Sequence, residues 1–187
     1  MTPRYYLKKA KQLMKEAGYE KCFEVSMVAP NNRYVNDEKI AEAAASMLGK
    51  IGIKVNLKTM PKAQYWDQFD LQVADIQMIG WHSDTEDTGN FFEFLLMCPN
   101  KETGYGQYNS GNYCNQEVDS LALKVQAETD EVKRTAMLQK MEKIAYDEAA
   151  FVPLHWQDLS WAGKNNLGIE SIVNVMNFPY FGDLVIK

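Results

Sequence analysis

The sequence lacks most of the local patterns on which catalysis and metal binding usually depend. It contains only two histidines and three cysteines, and it has no Walker loop, no GxSxG and no GxGxxG pattern. Nucleotide binding and Ser/His/Asp hydrolysis therefore have no local support. The cysteines form no CxxC pair, so their spacing is not that of a zinc site. Enzymatic activity is accordingly the weaker class of hypothesis.

Basic clusters and long apolar stretches are missing as well. The net charge is -5, and no cluster of Lys and Arg offsets it, which argues against a nucleic-acid surface. No apolar stretch approaches the ~18 residues that a membrane span needs, and the first residues do not form a signal-peptide pattern. With 187 residues, of which 46% are hydrophobic, the chain has the composition of one globular domain, alone or with an appendage.

Apolar periodicity predicts helices that alternate with strands, which is typical of an open α/β fold with right-handed crossovers. Asp37, Asn90 and Asn115 are the predicted caps of the second, fourth and fifth helices. The apolar patterns predict helices over residues 7–17, 40–51, 63–69, 91–96, 118–125 and 131–149, and strands over 23–27, 53–57, 76–79 and 151–156.

The stretch IQMIGWHSDTEDTGNFFEF, residues 76–94, has the most distinctive chemistry. A short apolar strand is followed by a polar loop and then by a helix, and open α/β folds bind ligands at such carboxyl ends of strands. Trp81 offers a π face, and the carboxylates around it offer the opposite charge to an ammonium group. The residues indicate either a site for a ligand with an ammonium group and apolar surface, or a solvated turn with a structural Trp.

The carboxylates of this loop also permit other interpretations. Asp84 and Glu86 are candidates for a hydrolase pair, which requires two facing carboxylates, one of them with a raised pKa. The glycine spacing of a calcium-binding EF-hand is absent. His82 and His155 would share a metal only if the fold joined them, whereas an isolated histidine is more often structural.

Two of the three cysteines bracket an irregular loop. Cys98 and Cys114 enclose PNKETGYGQYNSGNY, which is rich in Gly, Asn and Tyr. A disulfide across its base would reduce the ordering cost by about 3 kcal/mol in the chain-entropy model. Spacing alone leaves two free thiols as the alternative, and Cys22 would be unpaired in either case.

Four segments resemble the C-terminal part of the family 5 extracellular solute-binding proteins, which are receptors for oligopeptide and dipeptide ABC importers. Their order and spacing make the resemblance specific, and it covers residues 5–156. The segments are AKQLMKEAGY (10–19), IAEAAASMLGKIGIKVNLKTM (40–60), IGWHSDTEDTGNFF (79–92) and ETDEVKRTAMLQKMEKIAYDEAAFVPLHW (128–156).

The resemblance implies one lobe of a type II (cluster C) periplasmic binding protein, an α/β fold with a mixed sheet flanked by helices. Residues 1–156 are expected to form the ligand-binding lobe, and residues 157–187 to return toward a first lobe that lies outside this chain. That arrangement would account for the missing signal and for the scattered aromatics after residue 157. As a return segment without the first lobe, these aromatics are expected to be poorly packed or to self-associate with another copy of the chain. The alternative is that they form a docking surface for another protein.

The family resemblance also implies a location and a disulfide. Its members work in the periplasm or, when lipid-anchored, at the cell surface, where disulfides persist. In the dipeptide-receptor branch a similar cysteine pair brackets the loop after the "NFF" helix. Cys98 and Cys114 occupy that place, so the resemblance implies that they are bonded.

The resemblance assigns the binding residues by motif. The Asp of "GWxxD", which binds the α-ammonium group of the peptide in the family, corresponds to Asp84, and Trp81 matches the neighbouring Trp that shapes the pocket. Arg33, with Lys39 as the second choice, is expected to take the peptide carboxylate. The implied function is capture of di- and oligopeptides for an ABC permease in the membrane, with no catalysis, no cofactor, no resident metal and no nucleic acid.

Some residues leave the ligand class open. Because His82 lies beside the expected ammonium site, the alternative is the same receptor fold binding a nickel chelate, haem, an opine or glutathione. Asp87 is followed by Thr88, where the family has Pro, and Pro61 and Lys62 stand where the dipeptide branch has a Trp. The sequence therefore does not fix the peptide length or class.

Overall fold

Helices and parallel strands alternate in the first part of the chain, and helices dominate the second. The computed structural model describes residues 6–83, 86–174 and 176–187. Two units, residues 1–80 and 81–187, each have their own core. The first contains α1 (Leu7–Glu16), β1 (Phe23–Pro30), α2 (Asp37–Gly49), β2 (Ile53–Met60), α3 (Lys62–Asp70) and β3 (Ile76–Gln77). The second contains α4 (Thr88–Leu95), α5 (Gln116–Ala127), α6 (Glu131–Asp147), β4 (Leu167–Gly168) and β5 (Val185–Ile186), with short 3-10 turns at Ile169–Ser171 and Phe181–Asp183.

The sheet of the first unit has the strand order β2-β1-β3, and both pairings are parallel. β1 pairs with β2 from Phe23 opposite Ile53 to Pro30 opposite Met60. The last four residues of β1 are buried, as a strand with a neighbour on each side requires. The predicted α/β class is confirmed. Antiparallel pairing occurs in a separate two-stranded sheet, β4 with β5, so among the described strands the two directions do not mix in one sheet.

The predicted cap of α2 was wrong by one residue. Asn36 is the N-cap, in a left-handed conformation with φ of 59° and no side-chain cap bond, and Asp37 is the first helical residue. The Asp37 side chain is only 3% exposed, and its oxygens accept hydrogen bonds from the backbone N–H groups of Arg33, Tyr34 and Glu38. The carboxylate therefore folds the preceding loop onto the positive end of the helix dipole, a role that a cap pattern does not reveal.

The predicted cap of α4 was also wrong. Asp87 is the N-cap, and its side chain accepts from the backbone N–H of Gly89, so the helix begins at Thr88, before Asn90. The remaining predicted N-cap is confirmed, because Asn115 caps α5. Asp130, which directly precedes the predicted start of the sixth helix, is the N-cap of α6. Asn90 lies within the first turn of α4, where its side chain is available for a different contact.

The predicted strand over residues 151–156 does not form. Residues 152–156 have no regular structure and pair with none of the described strands. Their apolar side chains are largely exposed, up to 96% for Trp156. An alternating apolar pattern favours extended backbone, but a strand also requires a partner for its N–H and C=O groups.

The core of the second unit lies among α4, α5 and α6. Phe92, Leu96, Val118, Val125 and Met141 are its large buried side chains. A disulfide joins Cys98 and Cys114, with an S–S distance of 2.00 Å, which confirms the implied pairing and leaves Cys22 as an exposed free thiol. Among the described residues, no helix is long and apolar enough to cross a membrane.

The predicted division at residues 156 and 157 is a different boundary from the one between the two units. The unit of residues 81–187 includes the segment 157–187. The functional division into a lobe and a return segment stays a prediction.

Candidate ligand-binding site

The polar loop follows Gly80, where an added side chain would overlap the Tyr34 ring. The Gly80 N–H donates to the Tyr34 hydroxyl over 2.9 Å. A Cβ at position 80 would lie 2.7 Å from Cε1 of the Tyr34 ring. Since real Cβ contacts are not this short, any other residue would displace the ring or the backbone. Because Gly80 has no side chain, its backbone can approach the Tyr34 ring closely where the chain continues from β3 into the loop.

Trp81 is held in one orientation by contacts within the second unit. Its Nε1–H donates to Oδ1 of Asn90 over 2.9 Å. Its ring centroid lies 5.7 Å from that of Phe94 and 5.3 Å from that of Tyr108, both in tilted arrangements. Such aromatic contacts add to simple burial. Trp81 is half-buried, so the indole is fixed while part of it faces solvent.

Ser83 makes hydrogen bonds to the residues that follow it in the loop. The Glu86 N–H donates to the Ser83 carbonyl over 3.2 Å, and the Asp87 N–H donates to the Ser83 hydroxyl over 3.2 Å. The same hydroxyl donates to the Asp87 carbonyl over 3.0 Å. Asp84, the predicted ammonium ligand, lies outside the described residues. The residues that flank it on both sides are therefore bonded to one another.

An ion pair ends the loop. Asp87 Oδ2 lies 2.7 Å from Nη1 of Arg134, and Asp87 Oδ1 accepts the Gly89 N–H over 2.6 Å. The hydrogen bond from Arg134 is the main cause of a lowered Asp87 pKa, and the Gly89 N–H lowers it further. The same bond raises the pKa of Arg134. Asp87 is therefore an ionised carboxylate with both oxygens engaged.

Tyr108 is a site residue that sequence reasoning missed. It lies in the loop closed by the disulfide, and its N–H donates to the Phe94 carbonyl over 2.9 Å, which brings its ring against Trp81. The loop is organised around Asn109, only 6% exposed, whose side chain bonds to backbone groups of Met97 and Tyr113. The available signal was an aromatic residue in a loop bracketed by cysteines.

The other predicted site residues lie on the surface. His82 is exposed in the loop, and Arg33 and Lys39 are exposed in the first unit. The Arg33 guanidinium lies 5.1 Å from the centroid of the Tyr34 ring, a cation–π distance.

Metal and hydrolase interpretations gain nothing from the described geometry. Among the described residues, one group of three side chains has metal-binding spacing, Cys98, Cys114 and Asp119. Its sulfurs are joined in the disulfide and supply no thiolates. Neither His82 nor the exposed His155 belongs to such a group of described residues. For the hydrolase pair, Glu86 is exposed and its partner lies outside the described residues.

Fold and comparison together define the class, a lobe of a type II periplasmic binding protein. Residues 1–103 match the model of the bacterial extracellular solute-binding proteins, family 5 Middle. The chain belongs to this family, which confirms the resemblance inferred from the four motifs.

Three similar proteins show the range of ligands that relatives are named for. The oligopeptide-binding protein OppA of Bacillus subtilis is 30% identical over 89% of this chain and 29% of its own length. Heme-binding protein A of Haemophilus influenzae is 29% identical over 80% of this chain and 27% of its own. The solved dipeptide-binding protein of Pseudoalteromonas sp. SM9913 in complex with Met-Leu is 30% identical, with a TM-score of 0.71, over 80% of this chain and 29% of its own. The chain thus spans less than a third of each.

Proposed function

We propose that this chain is part of a receptor that captures di- and oligopeptides outside the cytoplasm and delivers them to an ABC importer. The main support for this proposal comes from the residues on either side of the predicted ammonium ligand. The Trp81 indole is held by Asn90, and Ser83 is hydrogen-bonded to Asp87. The receptor acts by binding and release, without catalysis. The names of relatives support the peptide ligand, and the description of the family as extracellular supports a location outside the cytoplasm.

The chemistry of the loop suits the amino end of a peptide. We assign Asp84 to the α-ammonium group, because a carboxylate accepts a charge-assisted hydrogen bond that a blocked terminus does not offer. Trp81 then presents an aromatic face to the first residues of the ligand. Because hydrogen bonds hold Trp81 and join Ser83 to Asp87 before a ligand arrives, less of the cost of ordering these residues falls on the binding step.

The carboxyl end of the ligand requires a cation. We assign it to Arg33, with Lys39 as the second choice, since both are exposed in the first unit. The cation–π contact with Tyr34 steadies the Arg33 guanidinium without neutralising it. Arg is the better geometric match because its planar fork binds a carboxylate through two parallel bonds.

Binding in the proposed receptor requires more than this chain. The relatives are more than three times as long as the part that matches, and receptors of this kind close two lobes around the ligand. Residues 1–156 would serve as the ligand-binding lobe and residues 157–187 as the return segment. This chain by itself is expected to bind peptides far more weakly than the full receptor.

A second candidate is the same receptor with a different cargo. His82 is exposed in the ligand loop, and imidazole is a common ligand for iron and nickel. Heme-binding protein A is a relative at almost the same identity as the peptide-binding protein of Bacillus subtilis. A haem or a nickel chelate is therefore the alternative ligand, ahead of an opine or glutathione.

The assignment of Asp84 is tested in the full-length receptor by isothermal titration with alanine di-, tri- and tetrapeptides. Asp84→Asn keeps the shape but removes the charge, so affinity should fall by about 100-fold or more, as for a charge left without its partner. Glu86→Gln is the matched control, because it removes an exposed charge from the same loop and should leave affinity unchanged. N-acetylated peptides should not bind the unmodified receptor. Retained affinity in Asp84→Asn would overturn the assignment.

A further inference from the structure

Arg134 joins three parts of the second unit. Its Nη1 lies 2.7 Å from Asp87 Oδ2 at the start of α4, and its Nε donates to the Val125 carbonyl near the end of α5 over 3.2 Å. Arg134 itself lies on α6. The side chains of Arg134 and Asp87 are 29% and 32% exposed, so water screens this pair less than it screens a pair on the open surface.

Close packing leaves little room around the pair. A Cβ at Gly89 would lie 2.8 Å from Asp87 Oδ1 and 3.3 Å from Arg134 Nη2. The glycine thus lets the first turn of α4 approach both charged groups. Each Asp87 oxygen has a different partner, the Gly89 N–H and the guanidinium, which fixes the rotation of the carboxylate as well as its position.

The backbone of Asp87 connects the ion pair to the ligand loop. Its N–H and its carbonyl are both bonded to the Ser83 hydroxyl, on the other side of the undescribed positions. The chain of contacts therefore runs from α5 and α6 through Arg134 to Asp87 and on to Ser83.

We infer that the Asp87–Arg134 ion pair positions the ligand loop and so sets the affinity of the receptor, although neither residue touches the ligand. This inference rests on the proposed function. Without the pair, the fold of α4, α5 and α6 persists because their apolar core is intact, but the loop must be ordered when the ligand binds. Ordering even one or two residues of backbone weakens binding by about tenfold or more.

The test compares three variants of the full-length receptor with one control, by titration with the same alanine peptides. Arg134→Met keeps the length of the side chain without the charge, Asp87→Asn keeps the cap without the charge, and Arg134→Lys restores the charge. The control is Lys140→Met, which removes another ion pair between α6 and α5, Lys140 with Glu117 at 2.5 Å, that is exposed and remote in sequence from the loop.

Three results are expected. Arg134→Met and Asp87→Asn each weaken peptide binding by about tenfold or more. The double variant binds peptide with the same affinity as the single variant that binds less tightly, because both substitutions remove the same interaction. Arg134→Lys recovers part of the affinity. Lys140→Met binds like the unmodified receptor, which separates positioning from general loss of helix contacts.

Hydrogen exchange provides a measurement that is independent of the ligand. In Arg134→Met the amides of Glu86 and Asp87 should exchange faster, while those in the middle of α5 and α6 stay protected. Unchanged affinity in Arg134→Met, together with a loss in Asp84→Asn, would overturn this inference and spare the proposed function. If no peptide binds the unmodified receptor, the proposed function fails, and unchanged exchange at Glu86 and Asp87 would then overturn the inference separately.

Discussion

Replacing Asn109 by Ala should loosen the disulfide loop although the disulfide stays intact. The Asn109 amide donates to the carbonyls of Met97 over 3.0 Å and Tyr113 over 2.7 Å, and it accepts the Tyr113 N–H over 3.1 Å. Each such bond contributes about 1 kcal/mol net. Losing all three bonds should therefore lower the free energy of unfolding by about 3 kcal/mol. The loss is smaller if water enters the space left by the side chain and bonds to the exposed backbone groups.

Urea unfolding of the 187-residue chain measures this change in free energy, and exchange of the Tyr113 amide measures it locally. Asn100→Ala is the matched control: its side chain also accepts two backbone N–H groups in this loop, from Glu102 and Thr103, but on the exposed surface. Water replaces those bonds, so the expected loss is below about 1 kcal/mol. Equal losses in Asn109→Ala and Asn100→Ala, with unchanged exchange at Tyr113, would refute the reasoning.

Two further predictions concern the ends of the ligand loop. Gly80→Ala should lower the free energy of unfolding by about 1–3 kcal/mol, because the added Cβ overlaps the Tyr34 ring. Thermal unfolding measures it; Tyr34→Ala in the same chain should remove the overlap, and an equal loss in both backgrounds would contradict the reason given. Because the pKa of Asp87 is lowered in the folded state, its ion pair stabilises the fold above the unfolded pKa, and this contribution is lost as the pH falls through the folded pKa. Acid unfolding of Arg134→Met should therefore depend less steeply on pH in that window, and an unchanged slope would contradict the assignment.

The sequence predicted those elements whose local signals agree with their packing. The α5 and α6 helices have a cap residue, an apolar face and a break between them, and all three signals are local. The β1 and β2 strands each follow a glycine-containing turn and show alternation. For these segments, tertiary contacts reinforce what the local pattern favours.

The two wrong caps have a common physical reason. Asp37 and Asn90 are both good cap residues in sequence, but each side chain is engaged elsewhere: Asp37 by backbone donors of its preceding loop and Asn90 by the Trp81 indole. A cap pattern in the sequence depends only on the residue type, and it does not show which group the side chain binds in the folded protein. The strand predicted over residues 151–156 failed for a related reason, since its pattern says nothing about whether a partner strand is present.

The sequence proposes where the candidate site lies, and its ligand-binding role stays a prediction. The contacts that support the loop could not be predicted from the sequence. The family resemblance identified Trp81 and the loop around it, and it assigned a role to Asp84 that stays a prediction. The pairing of Asp87 with Arg134 joins two motifs that lie far apart in the chain, and the contact of Tyr108 with Trp81 depends on the path of an irregular loop. Such contacts depend on tertiary structure, which no local period encodes.

The most direct test of the central claim is the identity of the bound molecule. The full-length receptor, purified from its native host without refolding, can be examined by native mass spectrometry for whatever it carries. We expect short peptides with free amino ends, which Asp84→Asn should release. A haem or a nickel complex in their place would contradict the peptide assignment and direct attention to His82.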